Sequence, residues 1–193
     1  MNIYKKSHHT VYYIILFFCI SHFSLCQNIL IPMDENNQKN HLKSYGLAYW
    51  VLEQDIEVDW LLNFRGGSFM FSHHELIEKE CIYRGVSYEK ISSIEKNNIY
   101  QQIAHPQNNY DVVKLEKAPK IAVYSPKNKQ PWDDAVTMVL EYSEIPYDVI
   151  YDEEINNNLL PLYDWLHLHH EDFTGQYGKF YKNYHTASWY VEQ

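Results

Sequence analysis

Between positions 164 and 172 the chain concentrates groups able to hold a metal or move a proton: Asp164, His167, His169, His170, Glu171 and Asp172. Residues two apart on a strand share a face, so His167 and His169 stand together in an extended reading, with Glu171 continuing the row. Two imidazoles and a carboxylate are zinc-ligand types. An imidazole beside a carboxylate is equally the pattern of a general base and its orienting acid. The spacing matches no standard metal motif, such as the helical H-E-x-x-H, and no metal is assigned. His167, His169, Glu171 and Asp172 are the candidate catalytic residues. The competing explanation is a hydrogen-bonded structural cluster. No residue pattern names a cofactor, which stays unknown.

Three further residues are candidates for binding substrate. Arg65 opens the run Arg65-Gly66-Gly67-Ser68, a two-glycine turn whose backbone N–H groups and guanidinium suit an anion. Ser125 and Lys127 lie in a loop between an apolar run and a helical pattern, where a carboxylate or phosphate would meet the helix N-terminus. Plain turn and loop roles compete with both. Cys81 sits one turn after Ile77 in a helical pattern, which predicts a buried, inert thiol. No G-x-S-x-G or G-x-C-x-G elbow is present.

The elements that must position these groups alternate between strand and helix. Asn28 to Met33 reads as a strand, Asn40 to Gln54 as a helix through Leu42, Tyr45, Tyr49 and Leu52, and Glu57 to Asn63 as a strand. Strand, helix and strand at this spacing predict a parallel βαβ unit. Further on come a short strand at Phe69 to Phe71, a helix from His74 stopped by Gly85, and a strand at Ser87 to Ile91. A helix then runs over 92–104, capped by Ser92 or Ser93 with Glu95 behind it. Tyr110 to Leu115 reads as a strand or a linker. A second βαβ unit joins Lys120 to Tyr124 with Tyr147 to Tyr151, through a helix that starts near Pro131 and ends at Pro146. Its buried face is expected to hold Trp132, Val136, Val139, Leu140 and Ser143. Leu159 to Leu168 reads as buried, Gly175 and Gly178 as loop, and Phe180 to Val191 as helical. In such α/β sheets ligands bind beyond the carboxyl ends of the strands, which selects the loops holding Arg65, Ser125 and Lys127.

The formal net charge is −9, which argues against nucleic acid as a partner. The N-terminus carries the three regions of a secretory signal in order: Lys5 and Lys6, the apolar run Val11 to Ile20, and small residues Ser24 and Cys26 before Gln27. The run is short for a membrane span. Residues 1–26 are therefore expected to be a signal peptide and 27–193 the exported part, periplasmic or extracellular and without a stable membrane span. An uncleaved anchor and a lipoprotein acylated at Cys26 are the alternatives. Cys81 alone survives such cleavage, so the fold must rest on its core and not on disulfides. Aromatic residues make up 16% of the chain, with 18 Tyr and 5 Trp, enough for a stacking surface toward a glycan or peptide.

Several runs resemble a family of exported bacterial proteins commonly labelled asparagine synthetase B. They are Ile31-Pro32-Met33-Asp34, Gln38 to Lys43, Val58 to Asn63, Lys117 to Lys127, Gln130 to Ala135 and Trp165 to Gly175. Members are roughly twice as long. The resemblance implies that residues 27–193 are the N-terminal part of an α/β domain with a three-layer, mostly parallel, flavodoxin-like sheet of class I glutamine amidotransferase type, incomplete in this chain. The final Trp189-Tyr190-Val191 has no stop signal, which fits that expectation. The label implies glutamine-dependent asparagine synthesis. Such synthetases use an N-terminal Cys and an S-G-G-x-D-S loop. Here cleavage would leave Gln27 first, and Gly66-Gly67-Ser68 lacks the following Asp, so no catalytic residue is carried over.

Three functions remain open at this point. One is an exported amidotransferase-like or hydrolase-like enzyme acting on a small amide or ester. The second is a non-catalytic module binding glycan or peptide through exposed Tyr and Trp. The third is literal asparagine synthesis.

Overall fold

The computed structural model describes residues 27–125, 135–168 and 176–191. The protein is α/β with two sheets, one antiparallel and one parallel. It divides into two compact units. The first comprises the chain up to Lys39 and Ile56–Leu115; the second comprises Asn40–Asp55 and Glu116–Gln193. Among the described residues no helix is long and apolar enough to cross a membrane.

The first unit is a five-stranded sheet built from β1 (Gln27–Ile31), β2 (Val58–Leu62), β3 (Ser68–Ser72), β4 (Glu89–Ser92) and β5 (Asp111–Leu115), in the order β4-β1-β3-β2-β5. Every neighbouring pair is antiparallel. Between β1 and β2 the chain makes helix α1 (His41–Glu53), which belongs to the second unit. Helix α2 (Glu75–Arg84) joins β3 to β4, and α3 (Ser93–Ile103) joins β4 to β5. Strand-helix-strand, twice, with order 4-1-3-2 is the split βαβ arrangement.

This corrects the expectation of a mostly parallel sheet. β1 and β2 do run the same way, as a crossover connection requires, but β3 lies between them and pairs antiparallel with both. The turn at 63–67 folds β3 straight back along β2, and hairpin closure wins the position that a parallel partner would have taken.

Alternation buries both faces of the central strands. One face carries Leu30, Leu61, Met70 and Ile91, packed with Ile99, Tyr100 and Ile103 of α3. The other carries Ile29, Ile31, Phe69 and Phe71, all buried. The caps form as the sequence predicts. Ser92 accepts from the Glu95 N–H while the Glu95 carboxylate accepts from the Ser92 N–H, a complete capping box. Gly85 ends α2 in the left-handed region with φ 66°. Gln38 is fully buried between two loops. Its amide donates to the Pro32 and Ser87 carbonyls and accepts from the Ser87 N–H.

The second unit is a three-stranded parallel sheet, β6 (Ile121–Tyr124), β7 (Asp148–Ile150) and β8 (Trp165–Leu168), in the order β7-β6-β8. Helix α4 (Ala135–Ser143) connects β6 to β7, which confirms the second parallel βαβ unit. α5 (Asp152–Asn156) precedes β8, and α6 (Gln176–Tyr184) and α7 (Ser188–Val191) follow it. α1 packs along α4, and Ile121, Val123 and Leu140 form the local core with Tyr49 and Val136 against it.

Three sequence expectations are corrected here. Val139 is exposed, and Thr137 takes a buried position on α4. Gly178 lies inside α6 instead of in a loop. Leu159, Leu162, Trp165 and Leu168 are exposed instead of buried. β8 pairs only with β6 among the described residues, so its apolar side chains lie at a sheet edge.

Candidate functional site

The carboxyl ends of β6 and β8 bring two of the predicted positions to one edge of the parallel sheet. β6 runs Ile121 to Tyr124 beside β8 in parallel register, with Val123 opposite His167 and Tyr124 opposite Leu168. His167 therefore shares the face on which Val123 packs against Leu140. It is half-buried, one residue short of the strand's end.

Ser125 follows β6 directly and is fully buried; its N–H donates to the Ile150 carbonyl at 3.0 Å, extending the β6–β7 ladder. At the same end the Tyr124 hydroxyl donates to Asp152 Oδ1 at 2.6 Å, and the Tyr124 and Tyr151 rings lie 5.2 Å apart. An open cleft of about 520 Å³ lies at the opposite, amino ends of the strands, lined by Tyr49, Pro119, Lys120, Tyr147 and Asp148. There the Tyr49 hydroxyl donates to the Pro119 carbonyl, and burial pushes its pKa up. The cleft's lining mixes aromatic and proline residues with acids and lysines and includes no histidine among the described residues. His169, Glu171, Asp172 and Lys127 lie outside the described residues.

Arg65 belongs to the first unit. It occupies the β2–β3 turn with φ 46° and ψ 48°. Its guanidinium donates bidentately to Glu89 at 2.8 Å for both bonds, and its Nε donates to Asp34 Oδ2 at 3.0 Å. A forked pair of this kind is geometrically specific. The hydrogen bonds it donates to Glu89 raise the guanidinium's pKa further. The turn's backbone is also engaged, since the Met33 N–H donates to the Arg65 carbonyl and the Gly67 N–H to the Phe64 carbonyl. Arg65 thus ties the β1 loop, the hairpin turn and β4 together, and an incoming anion would have to displace Glu89.

Cys81 is completely buried on α2, and desolvation pushes its thiol up to about 12. The thiolate is the reactive form. We expect the folded protein to leave Cys81 unmodified by dithiobisnitrobenzoate in a Cys19→Ala/Cys26→Ala background, with colour developing only as denaturant unfolds the first unit. Rapid modification of the native protein would contradict the burial.

Two polar clusters of the first unit escape the sequence-based reading. Glu78 on α2 accepts from Tyr88 at 2.8 Å and pairs with His73 at 3.0 Å and Lys90 at 2.8 Å. The His73 hydrogen bond, then those from Lys90 and Tyr88, hold its carboxyl down at about 2. Asp59 on β2 accepts from the Tyr100 hydroxyl across 41 positions of sequence. The one available signal is Asp59 itself, a carboxylate two residues from Leu61 and so on the apolar face of its strand. Comparison with protein-family models, curated proteins and solved structures finds no match.

Proposed function

We propose that this is an exported protein related to the family labelled asparagine synthetase B, with a ligand site at the carboxyl edge of its parallel sheet that acts on a small amide or ester. The observation that carries this is the strand order β7-β6-β8, all parallel. In chain order it is 2-1-3, the opening of a flavodoxin-like sheet. The rule for such sheets places ligands where the connections diverge, here between the ends of β6 and β8. The chain leaves β6 through Ser125 toward Lys127, and leaves β8 through His167 into His169, Glu171 and Asp172. In this assignment an imidazole moves the proton, a carboxylate orients it, and Ser125 and Lys127 meet the polar end of the ligand. The antiparallel first unit stands apart from the flavodoxin-like pattern and leaves the assignment resting on the second unit alone.

The test uses the protein as the cell exports it, whose mass should begin at Gln27. Ammonia release from a panel of primary amides, and hydrolysis of p-nitrophenyl esters, should fall about 100-fold in His169→Ala and His167→Ala, with melting midpoints near that of the parent. A large fall in midpoint with turnover intact would make the cluster structural. Absence of turnover in the parent would remove the catalytic assignment.

A second reading is favoured by one observation. Phe180, Tyr184 and Trp189 are each near half-exposed and in mutual ring contact at 4.8–5.9 Å. Exposed, clustered aromatics suit a glycan or peptide-binding module. Quenching or blue shift of tryptophan emission by an oligosaccharide or peptide, lost in Trp189→Ala, would support that reading.

A further inference from the structure

The first unit holds a cleft of about 320 Å³ beside the first two turns of α3, lined among others by Glu57, Asp59, Ser72, Lys96, Tyr100 and Lys114. That is near the lower end of the roughly 300–1,000 Å³ range of small-molecule sites. Three adjacent strands build it. Asp59 of β2 lies opposite Met70 of β3 and Lys114 of β5, so Asp59 and Lys114 project on the face that α3 covers. Past the apolar core at Leu61 and Met70, the same face turns polar.

The charges in the cleft are incompletely matched. Asp59 Oδ2 takes the Tyr100 hydroxyl, while its other oxygen has no hydrogen-bond partner among the described residues. The Lys96 ammonium comes no closer than 3.8 Å to Asp59 and sits 5.4 Å from the Tyr100 ring centroid. Both side chains are largely withdrawn from solvent, with 28% and 16% of their surface exposed. Lys114 pairs with Glu57 at 2.7 Å on the open side. The Lys96–Asp59 approach is a loose ion pair, which leaves both groups able to take a ligand group of opposite charge. Two ammonium and two carboxylate groups sum to zero. A lone anion gains from the lysines what it loses to the acids, and a lone cation fares no better. A ligand carrying both charges a few ångströms apart meets each with its opposite.

We propose that this cleft binds a small zwitterion of the α-amino-acid type, its carboxylate on Lys96 and Lys114 and its ammonium on Asp59 and Glu57. The Tyr100 ring forms the apolar wall beside Lys96, and its hydroxyl holds Asp59 in place. The site lies wholly in the first unit and is independent of the catalytic assignment at the parallel sheet.

Isothermal titration of the intact protein with L-alanine, L-serine and L-asparagine tests this, with acetate, methylammonium and inorganic phosphate as single-charge controls. Saturable binding of at least one amino acid is expected, with the controls at least ten-fold weaker. Lys96→Met should weaken the amino acid about ten-fold or more, the loss of one charge-assisted contact. Lys114→Met, at an exposed position on edge strand β5, should weaken it in the same direction. The proposal fails if no amino acid binds saturably, if phosphate or acetate binds as tightly, or if both lysine variants bind like the parent.

Discussion

Gly46→Ala will destabilise the second unit by about 2 kcal/mol or more, the largest effect of a single added methyl group expected there. Gly46 is buried on α1 where that helix crosses the last turn of α4. A Cβ at this position would stand 1.7 Å from the Ser143 carbonyl oxygen and 2.8 Å from its carbon. Both are backbone atoms, so no rotamer change relieves the clash, and the two helices must separate by more than an ångström. Alanine's better helix propensity returns only about 1 kcal/mol, and overpacking prevails. Separation would also strain the ties that flank the crossing, the Lys43–Glu144 ion pair and the Tyr142 hydroxyl on Asn40 Oδ1. Ser143 supplies the internal control. Its hydroxyl is buried with no hydrogen-bond partner among the described residues, so Ser143→Ala should be neutral or stabilising by up to about 1 kcal/mol. Urea midpoints for the two variants on opposite sides of the parent are the expected result. A Gly46→Ala midpoint equal to the parent's would mean that α1 does not cross α4 at this closeness.

Gly66→Ala should cost the first unit about 3 kcal/mol by two mechanisms acting together. Gly66 has φ +81°, a conformation that a Cβ disfavours by about 1–2 kcal/mol. The added carbon would also lie 2.4 Å from the Met33 carbonyl oxygen and 2.6 Å from its carbon. The turn cannot retreat freely. The Met33 N–H is bonded to the Arg65 carbonyl, and Arg65 itself is held by Glu89 and Asp34. Moving residue 66 therefore loosens β1, the hairpin and β4 at once. Gly67→Ala offers the comparison, because its Cβ would meet only the Trp60 indole nitrogen at 3.4 Å, an ordinary contact. It should lose about 1–2 kcal/mol from φ alone. Equal denaturation midpoints for the two alanine variants would show that the Met33 contact carries no weight.

The features legible in the chain were local. Gly85 stops α2, the Ser92–Glu95 box opens α3, and short apolar runs mark β1, β2 and β6. Each depends on residues within a turn or two, where cap chemistry and side-chain periodicity act directly. The parallel β6-α4-β7 unit was legible for the same reason, since one helix between two strands leaves few other routes.

Tertiary structure alone decided who stands beside whom. Spacing predicts β1-α1-β2 as neighbours, yet periodicity reports only that a strand is buried, not which strand buries it, and β3 took the place between them. The same holds for the polar groups. Arg65 reads as an anion-binding guanidinium until Glu89, 24 residues away, is folded onto it. Asp59 acquires its partners only when α3 brings Tyr100 and Lys96 to its strand. A side chain's type and spacing are written in the chain, but its electrostatic partner is set by strand order and helix packing, which depend on contacts across tens of residues.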